Sequence, residues 1–206
     1  MVSRTDFDIH LLTDRGRIHP QSYDCVVKLF PGEDFSIVAT NNTNLKAKAK
    51  FYLSGTYIGT LVIPKFQRCE LKRPIEGVDR CFRYCEFGTS IAEKAKLDPN
   101  KPHSDEVTVI FYSEDISKRL YASACAEGYA SDVTDSFNSY KSAKIETDYG
   151  GIRGGGILGP TKTHQKFFEA SDFVTCGKYC FSLVLRSIET VRQPKIIPLT
   201  DMYKYN

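Results

Sequence analysis

The chain has 206 residues and a formal net charge of +3, from 28 basic and 25 acidic side chains. This length fits one domain, which can bury enough apolar surface to fold without a metal ion or a disulfide. The hydrophobic share of 41% argues against a disordered chain, and the small net charge argues against specific nucleic-acid binding.

The N-terminal sequence carries no apolar run of signal-peptide length, and no stretch approaches the ~18 apolar residues of a membrane span. We therefore expect no signal peptide and no membrane span. There are seven cysteines, an odd number, and without a secretory signal they are expected to be reduced thiols in a cytosol-like compartment.

Residues 1–22 are polar and are interrupted by Gly16 and Pro20, which is typical of an N-terminal arm or of a short first strand with a turn. Short apolar runs bounded by turn residues then predict strands. In chain order these strands cover 25–30, 35–39, 45–53, 57–63 and 80–87.

The clearest of these strands is 45–53, in which Leu, Ala and Phe alternate with Lys and Tyr. Alternation with a period of two is the signature of a half-buried strand. Ser54-Gly55-Thr56 forms a tight turn, so the sequence predicts a hairpin with 57–63.

The second half of the chain predicts fewer regular elements. An exposed loop is predicted over 92–105, a strand over 107–112, a helix over 114–126, a long loop over 128–148, a glycine-rich turn over 150–156, a strand over 178–186 and an extended C-terminal tail over 187–206.

Strands greatly outnumber helices, and no internal repeat or linker is visible. The pattern predicts an all-β fold, an antiparallel β-sandwich or jelly roll, with long loops and at most one short helix. We expect one domain over 1–206, with 1–22 as an N-terminal arm.

Gly154-x-Gly156-x-x-Gly159 formally matches a dinucleotide-binding fingerprint. That fingerprint requires a strand before it and a helix after it, so that the helix N-terminus holds the pyrophosphate. Pro160 and a polar stretch follow here instead. The favoured interpretation is a glycine-rich turn where backbones approach closely or φ is positive, and no cofactor is predicted.

Two cysteine pairs, Cys81/Cys85 and Cys176/Cys180, are the best candidates for a zinc site. On a strand, residues four apart lie about 13 Å from each other, so neither pair could chelate one ion by itself. Packing in the core is the favoured role for these cysteines, and no metal site is predicted.

Among the four histidines only His164 lies near an unusual feature, the glycine-rich turn. The sequence contains neither a His-Glu-x-x-His nor a Gly-x-Ser-x-Gly pattern. We predict no catalytic residue and a protein that is not an enzyme.

Lys46, Lys48 and Lys50 share the outer face of the predicted strand 45–53. One interpretation is a solvated face that protects an edge strand from aggregation, and this is favoured. The other interpretation is a contact for a partner or an anionic ligand.

Tyrosines are frequent in the second half of the chain, outside the clearest strands. Tyrosine is favoured at protein interfaces and is also a good strand former. The candidate interface residues are Tyr121, Tyr129, Tyr140 and Tyr149.

Three stretches carry a resemblance to a known family. They are Phe35-Ser36-Ile37-Val38-Ala39-Thr40-Asn41-Asn42 with the hairpin that ends in Tyr57-Ile58-Gly59, Arg73-Pro74-Ile75-Glu76-Gly77 before the strand with Phe82, and the glycine-rich turn before Gln165-Lys166-Phe167. Over about 25–170 the chain resembles the small single jelly-roll capsid proteins of large icosahedral DNA viruses, which include their penton (vertex) proteins.

This resemblance implies a structural virion protein, assembled in the host cytoplasm, that acts by protein–protein assembly. The implied partners are further copies of itself, as a pentamer, and the major capsid protein. The alternative is a ligand-binding β-sandwich that recognises a carbohydrate or a protein.

Overall fold

The computed structural model describes residues 6–20, 25–117, 152–168 and 170–188. Eleven strands and one short helix lie in these residues. They are β1 (Phe7–Thr13), β2 (Gly16–Ile18), β3 (Val26–Leu29), β4 (Asp34–Asn41), β5 (Ala47–Leu53), β6 (Thr56–Ile63), β7 (Arg68–Leu71), β8 (Arg80–Glu86), α1 (Ser90–Lys94), β9 (Glu106–Glu114), β10 (Gly154–Lys162) and β11 (Thr175–Ser187).

The strands form two sheets that pack as a sandwich. The first sheet has the order β10-β8-β4-β1-β2, with β7 also paired to β4, and the second has the order β3-β11-β9-β5-β6. The pairs are antiparallel except β3 and β11, which run parallel. The predicted all-β sandwich is confirmed, whereas this strand order does not confirm the jelly-roll connectivity.

The core lies between the sheets, and alternation within the strands decides which side chains enter it. In β5, Ala47, Ala49, Phe51 and Leu53 are buried while the residues between them are half-exposed, as the sequence predicts. Across the sandwich, Phe7 of β1 stacks on Phe111 of β9 with ring centroids 4.5 Å apart. Such aromatic pairs contribute about 1 kcal/mol beyond the area they bury.

The N-terminal residues are more than a polar arm. Of the two interpretations, the described part of 1–22 fits the first strand with a turn, because β1 and β2 form a hairpin and β1 also pairs with β4 along Phe7–Leu12. The predicted loop at 92–105 is corrected at its start, where α1 begins at Ser90 with Thr89 as its N-cap.

Other expectations concern residues that the structure describes only in part or not at all. Glu114 ends β9 and so does not begin a helix, whereas Ile116 and Ser117 are helical, and the predicted helix from 118 onward lies outside the described residues. The loop at 128–148 and the tail from 189 onward also lie outside them. The assignment of 1–206 to one domain with a C-terminal tail stays a prediction. In the described part of the chain, no helix is long and apolar enough to cross a membrane.

Candidate functional site

A groove of about 570 Å³ opens between the ends of the two sheets. One side is formed by residues 57–59 of β6, an edge strand of the second sheet. The other side is formed by residues 156–158 of β10, an edge strand of the first sheet. The loops at 74–78 and 95–101 contribute the remaining walls. We call this the β6–β10 groove. Its volume is in the range of about 300–1,000 Å³ that is typical of ligand sites.

The floor of the groove depends on glycine, because β10 lies directly on the β5–β6 turn. The Gly156 N–H donates to Ser54 Oγ at 2.9 Å, and the Ser54 hydroxyl donates back to the Gly156 carbonyl at 3.1 Å. A Cβ at Gly156 would collide with the Leu53 side chain, and one at Gly155 with the Ser104 carbonyl. The glycine-rich segment is therefore a site of close backbone approach, as one part of the sequence interpretation predicted.

The loop at 74–78 is fastened to the edge of β6. The Ile75 N–H donates to the Ile58 carbonyl at 3.0 Å. Gly59, with φ of +138°, leaves room for the Ile75 side chain, which would lie 2.5 Å from a Cβ at this position. This contact holds Val78, at the end of the same loop, beside the groove.

A second anchor fixes the chain after β10 to the first sheet. The Gln165 side-chain amide donates to the Glu70 carbonyl at 2.6 Å and accepts the Lys72 N–H at 2.9 Å, so it pairs with β7 as a strand would. The Arg73 guanidinium donates to the Gln165 carbonyl at 2.7 Å and lies 4.8 Å from the centre of the Phe167 ring. Cation–π contacts of this kind favour Arg over Lys.

The walls of the groove combine exposed apolar side chains with charges of both signs. Tyr57, Val78 and Leu158 are 51%, 52% and 39% exposed. Glu76 lies on the 74–78 loop, and two lysines and one aspartate lie on the 95–101 loop. Exposed apolar side chains gathered in a concave surface indicate a binding site more strongly than scattered ones do.

The four candidate interface tyrosines lie outside the described residues. They are Tyr121, Tyr129, Tyr140 and Tyr149. Tyr57, which the interface prediction did not include, lines the groove.

The Gly154-x-Gly156-x-x-Gly159 segment is not a turn, and this part of the prediction is wrong. All three glycines lie within strand β10, which pairs with β8. A strand in this position offers no helix N-terminus to a pyrophosphate.

The two cysteine pairs lie in different sheets, one in β8 and the other in β11. Cys81 and Cys85 are buried, and burial together with the Asp34 carboxylate raises the pKa of the Cys81 thiol. Among the residues that the structure describes, no group of three or more His, Cys, Asp or Glu side chains could hold a metal ion. The role in core packing fits Cys81 and Cys85, whereas Cys176 and Cys180 are exposed.

His164 is exposed in the segment between β10 and Gln165. Within the described ranges no hydrogen bond joins its ring to a cysteine or to an acidic side chain. The structure therefore does not bring together the nucleophile, base and orienting group that covalent catalysis would need around this histidine.

The lysines of β5 do not protect an edge, because β5 pairs with β6 on one side and with β9 on the other. Lys48 forms an ion pair with Asp172 at 2.6 Å, and its Nζ lies 5.7 Å from the centre of the Phe173 ring. Lys50 Nζ lies 5.3 Å from the centre of the Tyr112 ring. Both side chains thus make contacts within the chain, and the edge interpretation is corrected.

The sequence interpretation missed Ser54, Arg73 and Gln165 as residues that shape the site. Ser54 was assigned only to a turn, and its neighbour in space, Gly156, is 102 residues away in sequence. Arg73 and Gln165 belong to stretches that carried the family resemblance, and this was the one signal available for them.

Comparison with known proteins does not identify a relative: no family model matches the chain, and neither the curated proteins nor the solved structures gave a significant match.

Proposed function

We propose that this β-sandwich is a non-enzymatic protein that acts by protein–protein assembly and binds its partner in the β6–β10 groove. The observation that carries the proposal is that exposed apolar side chains are concentrated in one concave site. This site lies between the edge strands of the two sheets, and the side chains are those of Tyr57, Val78 and Leu158. Burial of such side chains favours association by about 25 cal/mol per Å² of apolar surface.

The specific form of this proposal is a penton-like or minor component of an icosahedral capsid. Its support is the resemblance in the sequence to small capsid proteins and the β-sandwich architecture. In that form the groove would receive a neighbouring copy or the major capsid protein. Virus particles analysed by quantitative mass spectrometry should then contain the chain at vertex stoichiometry, and its absence from particles would contradict this form.

Site-specific photocrosslinking tests whether the groove is the contact site. A benzoylphenylalanine placed at position 78 should produce one or a few discrete crosslinked species in cells that make the protein. The matched control is position 91, because Ile91 is also an exposed β-branched residue, at 58%, but does not line the groove. Equal crosslinking from both positions, or none from position 78, would contradict the proposal.

A carbohydrate ligand is the second candidate, and the exposed ring of Tyr57 is the observation in its favour. The Tyr57 hydroxyl is within 2.8 Å of Thr60 Oγ1, and the ring contacts Tyr52 edge to face, so it is held in place at the groove. Glycan-array binding that is lost on Tyr57→Ala would support this candidate, and an array without any bound glycan would exclude it.

A further inference from the structure

We infer that the partner of the β6–β10 groove is an extended, acidic and apolar peptide segment that adds as a strand to the free edge of β10. This inference rests on the proposed function and names the chemistry of the partner. It follows from the direction of backbone groups in β10, from the state of the opposite edge, and from the charges that surround the groove.

The first step is the direction of the Leu158 backbone. In an antiparallel pair, the N–H and C=O of one residue point to the same side, and the side alternates along the strand. Gly156 directs both groups away from β8, since both bond to Ser54 Oγ. Leu158 lies two residues further, and its pairing with Phe82 continues the same register. Its N–H and C=O therefore also point away from β8, toward the groove that Leu158 lines.

The second step is that this position is open. In the described part of the structure, no hydrogen bond to a loop or to another strand occupies the side of Leu158 that points away from β8. The register irregularity of β10 comes only after Leu158, and Pro160 lacks an N–H, so the edge available to a new strand is short. Free main-chain groups at a sheet edge are the template for strand addition.

The third step is that the opposite edge is already occupied. The Ile58 carbonyl of β6 accepts the Ile75 N–H, so the 74–78 loop covers β6 at this point. A segment that enters the groove would pair with β10, while its side chains would contact Tyr57 and Val78 on the other side. Main-chain pairing supplies affinity in such complexes, and alternate side-chain contacts supply specificity.

Two lysines of the groove are the basis for an acidic residue in the segment. Lys96 and Lys101 both lie on the 95–101 wall, and neither has an ion pair among the described residues. Asp98, between them, accepts the Asn100 N–H with its side chain at 2.8 Å. Glu76 lies on the separate 74–78 wall. An acidic residue of the segment would therefore meet the two lysines.

Peptide selection tests the inference. A phage-displayed library of random nonapeptides is selected on the full chain, with counter-selection on Val78→Asp, which removes peptides that bind elsewhere. We expect selected peptides that combine apolar and acidic residues. Failure to recover any peptide that depends on Val78 would overturn the inference.

The mode of binding is tested on the best selected peptide, with affinity measured by fluorescence anisotropy. N-methylation at single positions should weaken binding at least tenfold at alternate residues and little at those between them. Hydrogen exchange of the Leu158 amide should slow on binding, whereas that of Gly156, already bonded to Ser54, should not change. Groove-dependent binding without this alternation would contradict strand addition and leave the assembly function standing.

The charge preference has its own control. Lys96→Glu and Lys101→Glu together should weaken binding of the same peptide at least tenfold. Lys65→Glu changes an exposed lysine that does not line the groove and should leave binding unchanged. An equal effect of Lys65→Glu would mean that only the overall charge matters and would contradict the proposed acidic recognition.

Discussion

At the scale of single residues, Gly156 couples the stability of the sandwich to the shape of the groove. Its lack of a side chain allows β10 to approach Leu53, and its N–H and C=O are both satisfied by Ser54. The buried backbone of Gly156 is thereby paired at a point where none of the described strands lies beside it, and buried polar groups left without partners would be costly.

Gly156→Ala is expected to lower the free energy of unfolding by about 3 kcal/mol, because the added Cβ overlaps the Leu53 side chain and overpacking of this kind costs about 1–3 kcal/mol. Urea unfolding followed by circular dichroism measures the change. The control is Gly32→Ala, which has open space around its Cβ but φ of +80°, and is expected to cost about 1 kcal/mol. Equal losses from the two variants would show that the close approach of β10 is unimportant.

Gln165, like Ser54, has a side chain that forms hydrogen bonds with a strand backbone where a neighbouring strand would otherwise form them. Gln165→Ala removes the hydrogen bonds to the Glu70 carbonyl and the Lys72 N–H and is expected to cost about 1–2 kcal/mol. The measurement is again the urea midpoint, together with the rate of proteolysis near 163–168. Lys166→Ala, at the exposed neighbouring position, should change stability by less than about 0.5 kcal/mol. A smaller effect at Gln165 than at Lys166 would contradict the anchoring role.

At the scale of elements, a buried carboxylate joins β10 and β11 to the start of β9. Asp105 Oδ2 accepts from Arg153 Nε at 3.0 Å and from Arg186 Nη1 at 2.9 Å, and its side chain is only 11% exposed. Burial by itself would raise the pKa of Asp105, but the hydrogen bonds from the two arginines outweigh it and hold the pKa below its usual value. Arg153 directly precedes β10 of the first sheet and Arg186 lies in β11 of the second, so this carboxylate links the two sheets at one end of the sandwich.

Asp105→Asn is expected to lower the free energy of unfolding by about 3 kcal/mol at pH 7, because it leaves the half-buried Arg186 without its counter-charge. A depressed pKa contributes stability that is present above the unfolded pKa of about 4 and is lost as the pH falls through the folded pKa. The difference between wild type and Asp105→Asn should therefore shrink below about pH 4. Urea unfolding at a series of pH values measures it, with the exposed Asp98→Asn as control. A difference that is constant down to pH 2 would contradict the assignment.

The elements also show what the sequence can and cannot predict. β5 was predicted because its apolar and polar side chains alternate, and the apolar ones are those that are buried on one face. β10 was not predicted, because its four glycines and one proline show no alternation of apolar and polar side chains. A strand forms there because of the contacts with Ser54 and β8. The groove was hidden for the same reason: its two sides are far apart in sequence, and only the packing of the sheets brings them together.

At the scale of the whole molecule, the cysteines differ in how far the fold shields them from solvent and from thiol reagents. Cys69, Cys81 and Cys85 are at least half-buried, and burial raises the pKa of Cys69 to about 12. Cys25 and Cys176 are exposed. Because the thiolate is the reactive form, protection by burial and a raised pKa act in the same direction.

Iodoacetamide at pH 8 should therefore label Cys25 and Cys176 in the native protein well before Cys69, Cys81 and Cys85. Peptide mass mapping after timed quenching measures the order. In urea above the unfolding midpoint all five should react at similar rates, which is the internal control. Rapid native labelling of Cys81 or Cys85 would contradict the packing of β8 against its neighbours.

The parallel pairing of β3 with β11 has a consequence for how the chain comes to be folded. β3 begins at Val26, and its partner β11 spans Thr175–Ser187, so the partner is made only after nearly all of the described chain. During translation the β5–β6 hairpin and its pairing with β9 can form early, while β3 still lacks β11, its one partner among the described strands. A ribosome stalled before β11 would thus hold a nascent chain whose apolar β3 is unshielded, and this is the stage at which we expect it to need a chaperone.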